Sequence, residues 1–159
     1  MVAFSGVGHV SMSVRDLDRS ERFYCDVFDL IRMADFGVAR VLLHRQTGFM
    51  FAIAFHEAAK GRPFSELNTG LDHLGFVAED RDELVQWEQK LASLGVVYTP
   101  IRDMELGSHL NFRDPDNIAL EISTQNDVLK GWLVEFRERD IPEEEREARL
   151  TEYLMSLGQ

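Results

Sequence analysis

Along residues 8–14 the side chains alternate, with Val10, Met12 and Val14 on one face and His9, Ser11 and Ser13 on the other. A two-residue period with one apolar side describes a half-buried β-strand. The period then lengthens. Leu17, Phe23, Val27 and Leu30 approximate helical spacing, and either Asp16 or Asp18 can cap such a helix, which runs out near Leu30. Strands follow at 40–44 and 49–55 around a turn at Thr47-Gly48, with one more short strand expected around 31–36. Residues 72–77 then restart the pattern. Asp80 or Asp82 opens a second helix that presents Leu84, Trp87, Leu91 and Leu94 on one side before Gly95 stops it. Strands are expected at 96–99, 108–112 and 118–123, the last two joined through Asp114-Pro115-Asp116-Asn117.

These two passages are copies. A shift of 64 positions aligns His9 with His73, Asp16 with Asp80, Asp18 with Asp82 and Leu30 with Leu94, without a gap. An internal repeat constrains the fold more than any single element does. The chain is therefore expected to be α+β: two βαβββ modules at 6–58 and 70–124, forming one domain over 6–124. The stretch 57–69, with Lys60-Gly61-Arg62-Pro63 inside it, reads as the linker. Residues 125–159 differ in kind. Asn126 can cap a helix carrying Leu129, Trp132, Leu133 and Phe136, and Pro142 suits the first turn of another carrying Leu150, Tyr153, Leu154 and Leu157. Such an extension can add packing or a dimer contact, or act as a lid with Trp132 and Phe136 over a cavity.

Composition narrows the partners. A formal charge of -11 argues against a groove that tracks phosphates, which needs clustered Lys and Arg, so no nucleic-acid partner is expected. Much of that charge is local, around Glu143-Glu144-Glu145, and says little about a substrate. No apolar run approaches the roughly 20 residues that cross a bilayer, so no membrane partner is expected either. The single cysteine, Cys25, cannot pair within the chain, and the first six residues have neither the basic nor the apolar stretch of a signal peptide. The expectation is a soluble, cytoplasmic protein.

Strand parity singles out three residues. On 118–123 the apolar Ile118, Leu120 and Ile122 share one face, leaving Glu121 on the other with Ala119 and Ser123. His9 and His73 stand on the corresponding polar faces of their own strands. If the two sheets curve around a shared cavity, His9, His73 and Glu121 meet there. Two imidazoles and one carboxylate are the facial triad that holds iron(II) and similar divalent metals with coordination positions open. His109, with Asn111 on its face, and His56, at the end of the strand 49–55, are candidate acid–base or substrate-binding groups. His44 reads as a surface strand position. Cys25 has no basic cluster beside it in sequence, so nucleophilic catalysis has little support.

Three separated motifs carry a family resemblance. Gly8-His9-Val10 leading to Val14-Arg15-Asp16-Leu17-Asp18-Arg19-Ser20 and Phe23-Tyr24, then Leu71-Asp72-His73-Leu74-Gly75-Phe76, then residues 112–121 ending in Glu121, closely resemble the vicinal oxygen chelate superfamily. That group includes glyoxalase I, the extradiol dioxygenases and the bleomycin and fosfomycin resistance proteins. The resemblance implies paired modules in an open, barrel-like mixed sheet, a divalent metal on His9, His73 and Glu121, and a substrate chelating through adjacent oxygens. Glyoxalase I uses a fourth ligand on the last strand of the first module. Here the cavity-facing residues of that strand are Ala52, Ala54 and His56, with no carboxylate, while Glu57 has the wrong parity. His56 is left as a possible fourth ligand, second-shell donor or general base.

The resulting expectation is a metal-dependent, dioxygenase-type enzyme for a small oxygenated or aromatic molecule. Fe(II) is favoured and Mn, Zn or Ni are possible. The alternatives are a glyoxalase-like lyase or isomerase, or a non-catalytic protein that sequesters a drug-like ligand. A homodimer is expected, since open sheets leave edges to cover.

Overall fold

The computed structural model describes residues 5–59 and 61–157; the first four residues and Lys60 of the expected linker lie outside the described residues. The first module runs β1 (His9–Val14), α1 (Leu17–Phe28), β2 (Ile31–Asp35), β3 (Ala39–Leu43) and β4 (Met50–Phe55). The second runs β5 (Leu74–Val77), α2 (Arg81–Ser93), β6 (Arg102–Met104), β7 (Gly107–Arg113) and β8 (Ala119–Ser123). Two further helices close the chain, α3 (Asp127–Glu138) and α4 (Glu143–Leu157). The fold is α+β with two βαβββ modules and a helical carboxyl-terminal extension.

Each module forms its own four-stranded mixed sheet, in the orders β1-β4-β3-β2 and β5-β8-β7-β6. The first strand pairs parallel with the last in both, and the remaining pairs are antiparallel. The two sheets do not close into a barrel. Each helix packs on one face of its own sheet, so inward positions on the strands must be apolar. Met12 and Val14, Phe51 and Ile53, Leu110 and Phe112, and Leu120 and Ile122 meet this demand as buried side chains. Asp16 and Asp80 settle the capping alternatives: their carboxylates accept from the amides of Arg19 and Glu83.

Two elements depart from the sequence expectation. The third strand of the second module lies at Arg102–Met104, and 96–99 contributes only an isolated bridge between Tyr98 and Phe112. All three residues of β6 are exposed, so no apolar pattern marked it. On α1 the buried stripe is Ser20, Tyr24, Val27 and Phe28. That stripe spans the helical period better than the Leu17-Phe23-Val27-Leu30 series.

One core serves both modules. Phe28 at the end of α1 contacts Phe76, Trp87 and Phe112 of the second module, with ring centroids at 4.5, 5.8 and 6.1 Å. A polar latch accompanies it. Asp114 takes hydrogen bonds from the backbone N–H groups of Asp116 (2.8 Å) and Ile118 (2.7 Å) and from the Tyr24 hydroxyl (3.0 Å). Asp116, almost wholly buried, receives the Arg15 amide and guanidinium at 2.7 Å each, and the Arg19 guanidinium as well. Burial pushes the Asp114 carboxyl above its ordinary value against the pull of these donors, and pushes the Tyr24 hydroxyl well up. The linker is pinned to the same turn. Phe64 exchanges hydrogen bonds with Asp116 and Asn117, and Glu66 is paired with Arg113.

The extension is held by polar contacts. Asn126 caps α3 and bonds the Tyr153 hydroxyl, which donates to the Glu105 carbonyl; Lys130 reaches the Glu79 carbonyl. Neither helix contains a buried residue. Trp132 packs edge-on against Tyr153 at 5.8 Å and Phe136 is half-buried, so Trp132 meets the extension's own helix rather than roofing a cavity.

Two outcomes follow. Asp114→Ala strands three buried donors, and we expect urea denaturation to show a loss of about 3 kcal/mol; a loss under about 1 kcal/mol would refute the latch. Pairing with Arg113 holds the Glu66 carboxyl at about 2, and Arg81 with Ser108 holds Asp103 at about 2, against ordinary values of 4.5 and 3.8. Both folded values are depressed, so their stabilisation is present at neutral pH and disappears as pH falls from the ordinary carboxylate range towards 2. The Glu66→Gln, Asp103→Asn double variant is therefore expected to lose less stability than the parent between pH 5 and 2, as followed by circular dichroism.

Candidate metal centre

The alternation that buries one face of each strand leaves the other facing away from the helices. On β8, Glu121 lies between buried Leu120 and Ile122 and projects from the opposite face, with its side chain only 14% exposed. Its neighbours across the sheet are Gly75 on β5 and Asn111 on β7. His73 stands immediately before β5. A methyl group built on Gly75 would lie 3.8 Å from Glu121 Oε1 and 4.0 Å from His73 Cδ2, so the two side chains flank one point above the glycine. Both distances are ordinary van der Waals contacts, so a single methyl group fits there and larger side chains do not.

Each donor is oriented by a partner. His73 Nδ1 lies 2.6 Å from Asp72 Oδ1, and His109 Nδ1 lies 3.0 Å from Glu121 Oε2. A carboxylate only accepts, so the His73 imidazole presents Nδ1–H to Asp72, while His109 makes a close contact with Glu121. His73 thereby keeps Nε2 free as a ligand atom, and Glu121 keeps Oε1 on the His73 side. Carboxylate–imidazole pairs of this kind set the tautomer and raise the basicity of metal-binding histidines.

His9 occupies the equivalent place on the other sheet. It begins β1, exposed, on the face shared with Ser11 and Ser13. Register shows how far the modules have diverged. Ser11, two residues after His9, pairs with Ala52, as Gly75, two after His73, pairs with Glu121. The structural counterpart of Glu121 is therefore Ala52, and Glu57 is not. Among the described residues of one chain, no three His, Cys, Asp or Glu side chains gather as a metal-binding group. One chain thus sets His73 and Glu121 about Gly75, and its His9, His73 and Glu121 do not form such a group among the described residues.

The remaining histidines separate. His109, on β7, touches Glu121 and was legible as a partner through its strand face. His56 is exposed just beyond β4, beside Phe55, which pairs with Val14 at the end of the sheet away from His9. His44 lies past the end of β3, in the turn to β4, where Nδ1 meets Thr47 Oγ1 at 2.8 Å; the expected strand position is corrected to a turn. Burial, with Glu21 and Asp26 nearby, raises the Cys25 thiol, which disfavours the thiolate. Sequence reasoning missed Asp72, an adjacent residue whose role depends on the His73 rotamer.

The donor set suits a divalent cation: imidazole nitrogen and carboxylate oxygen on one sheet face, a glycine beneath them, and a half-buried carboxylate that gains from a counter-charge. Comparison with known proteins now places the chain. The profile of the Glyoxalase/Bleomycin resistance protein/Dioxygenase superfamily matches residues 6–122. The chain belongs to this superfamily. A superfamily domain from Frankia sp. EAN1pec is 34% identical, with a TM-score of 0.72 over 79% of this chain and 95% of that one. A fosfomycin resistance protein FosX from Listeria monocytogenes, solved with Mn(II) and 1S,2S-dihydroxypropylphosphonic acid, shares 21% identity and a TM-score of 0.63 over 79% and 94%. Lactoylglutathione lyase from Agrobacterium tumefaciens shares 20% and 0.61 over 76% and 93%. The last two likenesses show the fold. No helix among the described residues is long and apolar enough to cross a membrane.

The Gly75 gap can be probed directly. Gly75→Ala keeps ordinary contact distances and is expected to leave the site unchanged. Gly75→Val pushes methyl groups into the space beside Glu121 Oε1 and His73, so the His109 imidazole signals in long-range proton–nitrogen spectra should move. Unchanged His109 signals in Gly75→Val would show that the glycine does not shape the site.

Proposed function

We propose that this protein is a metal-dependent enzyme whose site is completed by two copies of the chain, His73 and Glu121 coming from one and His9 from the other. The carrying observation is the Glu121 carboxylate, with Oε2 3.0 Å from His109 Nδ1 and Oε1 near the same point above Gly75 as the His73 ring. In this reading the shared core and the Asp114–Asp116 latch keep the two modules in one arrangement, and within it His9, His73 and Glu121 do not gather as a group among the described residues. A second chain placing its β1 face against the β5–β8 face supplies the missing imidazole, giving two nitrogens and one oxygen. A homodimer in the cytoplasm follows from this reading.

Three protein ligands leave positions for a small substrate that presents adjacent oxygens. A bound divalent metal would supply Lewis-acid polarisation of those oxygens and stabilise negative charge developing on them. The residues do the rest. Asp72 holds the His73 tautomer, and His109 lies against Glu121 at the edge of the site. Asn111, beside Glu121 in register, offers a neutral donor and acceptor for a substrate oxygen. His56 stands at the far end of the sheet from His9 and takes no part in this scheme.

The reaction favoured is dioxygenase-type, with iron(II). Ala52 at the fourth position disfavours the four-ligand glyoxalase arrangement. A second reading, manganese-dependent addition to a small phosphonate, draws on the FosX relative with Mn(II) and a dihydroxyphosphonate.

Mixing variants tests the assembly and the metal together. His9→Ala and Glu121→Gln are each expected to lose metal affinity at least tenfold when pure. Unfolded and refolded together, they form mixed dimers with one intact site each; random pairing makes about half of the dimers mixed, so metal titration should recover about half a site per dimer averaged over the whole sample. No recovery would place the three ligands in one chain or deny the site. Oxygen uptake with catechols after iron loading, against fosfomycin turnover after manganese loading, separates the two reactions; ligand binding without either turnover would favour sequestration.

A further inference from the structure

A cavity of about 640 Å³ lies between the modules on the helix side of the sheets, and none of His9, His73, His109 or Glu121 lines it. Phe76 on β5 and Ile122 on β8 pair in register and reach it from the face opposite Gly75 and Glu121. It is therefore a separate space from the candidate metal centre. Phe28 and Phe51 are buried in its wall, while Phe49, Phe76 and Trp87 are half-exposed. The rings stand at differing inclinations: Phe28 to Phe76 at 41°, Phe28 to Trp87 at 48°, and Phe49 to Phe76 edge-on at 84°. Such a wall offers both faces and edges to an incoming ring, the arrangements that aromatic pairs prefer.

The polar groups of the cavity lie at one end. His44 and Thr47 sit in the β3–β4 turn, where their mutual hydrogen bond occupies Nδ1 and leaves Nε2 available. Asp29 is paired with Lys90 at 2.8 Å, and Lys90 also lies 5.3 Å from the Trp87 ring, while Arg45 of the same turn adds a cation to the lining. Glu83 accepts from the Glu79 amide at 2.6 Å. The cavity volume is that of ordinary small-molecule sites, which combine apolar walls with a few convergent polar groups.

We infer that this cavity binds a planar aromatic compound of about two fused rings, its body among Phe28, Phe49, Phe76 and Trp87 and a hydroxyl or similar group against His44. The site is independent of the metal-dependent reading. A ligand there would bridge the two modules, because its walls come from α1 and β4 on one side and from β5 and α2 on the other.

Calorimetric titration with 2-naphthol is the test. We expect one site per chain with a negative heat-capacity change, and at least tenfold weaker binding of 2-decalol, which has similar size without aromaticity. His44→Leu should weaken 2-naphthol severalfold. Thr47→Trp at the exposed mouth should weaken it at least tenfold, with circular dichroism confirming the fold. Glu121→Gln should bind 2-naphthol like the parent. Absence of binding to the folded protein, equal binding of 2-decalol, or binding that Glu121→Gln abolishes and Thr47→Trp leaves intact would each overturn the assignment. Because Glu121→Gln is silent here and decisive for the metal centre, failure of one reading is distinguishable from failure of the other.

Discussion

The buried turn at 114–118 is the constraint from which the rest of the architecture follows. Asp114 closes the turn on itself through two backbone amides and then accepts from Tyr24, while Asp116 draws Arg15 and Arg19 of the first module onto it. Buried carboxylates are costly unless their lone pairs are filled. Here the first module fills much of that demand, so neither module satisfies its polar groups alone. The aromatic contact of Phe28 with Phe76, Trp87 and Phe112 works in the same direction. Polar latch and apolar seam together fix the angle between two sheets that share no hydrogen-bonded strand edge.

That fixed angle has two consequences with opposite signs. On the helix side it leaves an aromatic-walled space between the modules. On the other side it leaves two faces, β1 with His9 and β5–β8 with Glu121, that carry the candidate ligands. The two sides are separated by a single residue step along a strand: Glu121 and Ile122, or Gly75 and Phe76, are neighbours in sequence and point into different environments. A one-residue slip in β8 would exchange the carboxylate for an isoleucine, so the buried apolar row also fixes the register of the candidate metal ligand.

Much of this was legible in the chain. The two-residue alternation around His9 and Glu121 carried the face on which each stands, and the repeat carried the module count. Asp16 and Asp80 were legible as caps because a carboxylate before a helical period has a specific amide to accept from. The strand Arg102–Met104 was not legible, since an exposed edge strand has no apolar face to betray it. Nor was the separation of His9 from Glu121: strand parity gives a face, while the angle between two sheets depends on contacts such as Tyr24 to Asp114, ninety residues apart. The turn residues of 114–117 were recognised as structural, but the partners they would recruit from the first module had no local signature.

The divergence between the repeats bears on how a complete site can arise. Ala52 stands in the first module where Glu121 stands in the second, and Ala39 stands where His109 stands, since Ala54 pairs with Ala39 as Ser123 pairs with His109. The first module has thus kept one histidine on this face and the second a histidine, a carboxylate and the carboxylate's orienting partner. Two first-module faces brought together would offer two imidazoles and no charge to balance a dication. Two second-module faces would set two half-buried carboxylates against each other, with more donors than an open site uses. Only the pairing of unlike faces yields two imidazoles and one carboxylate. His9, His73 and Glu121 do not gather as a group among the described residues of one chain, and the composition of the two faces accords with the proposed assembly in which unlike modules of two chains meet.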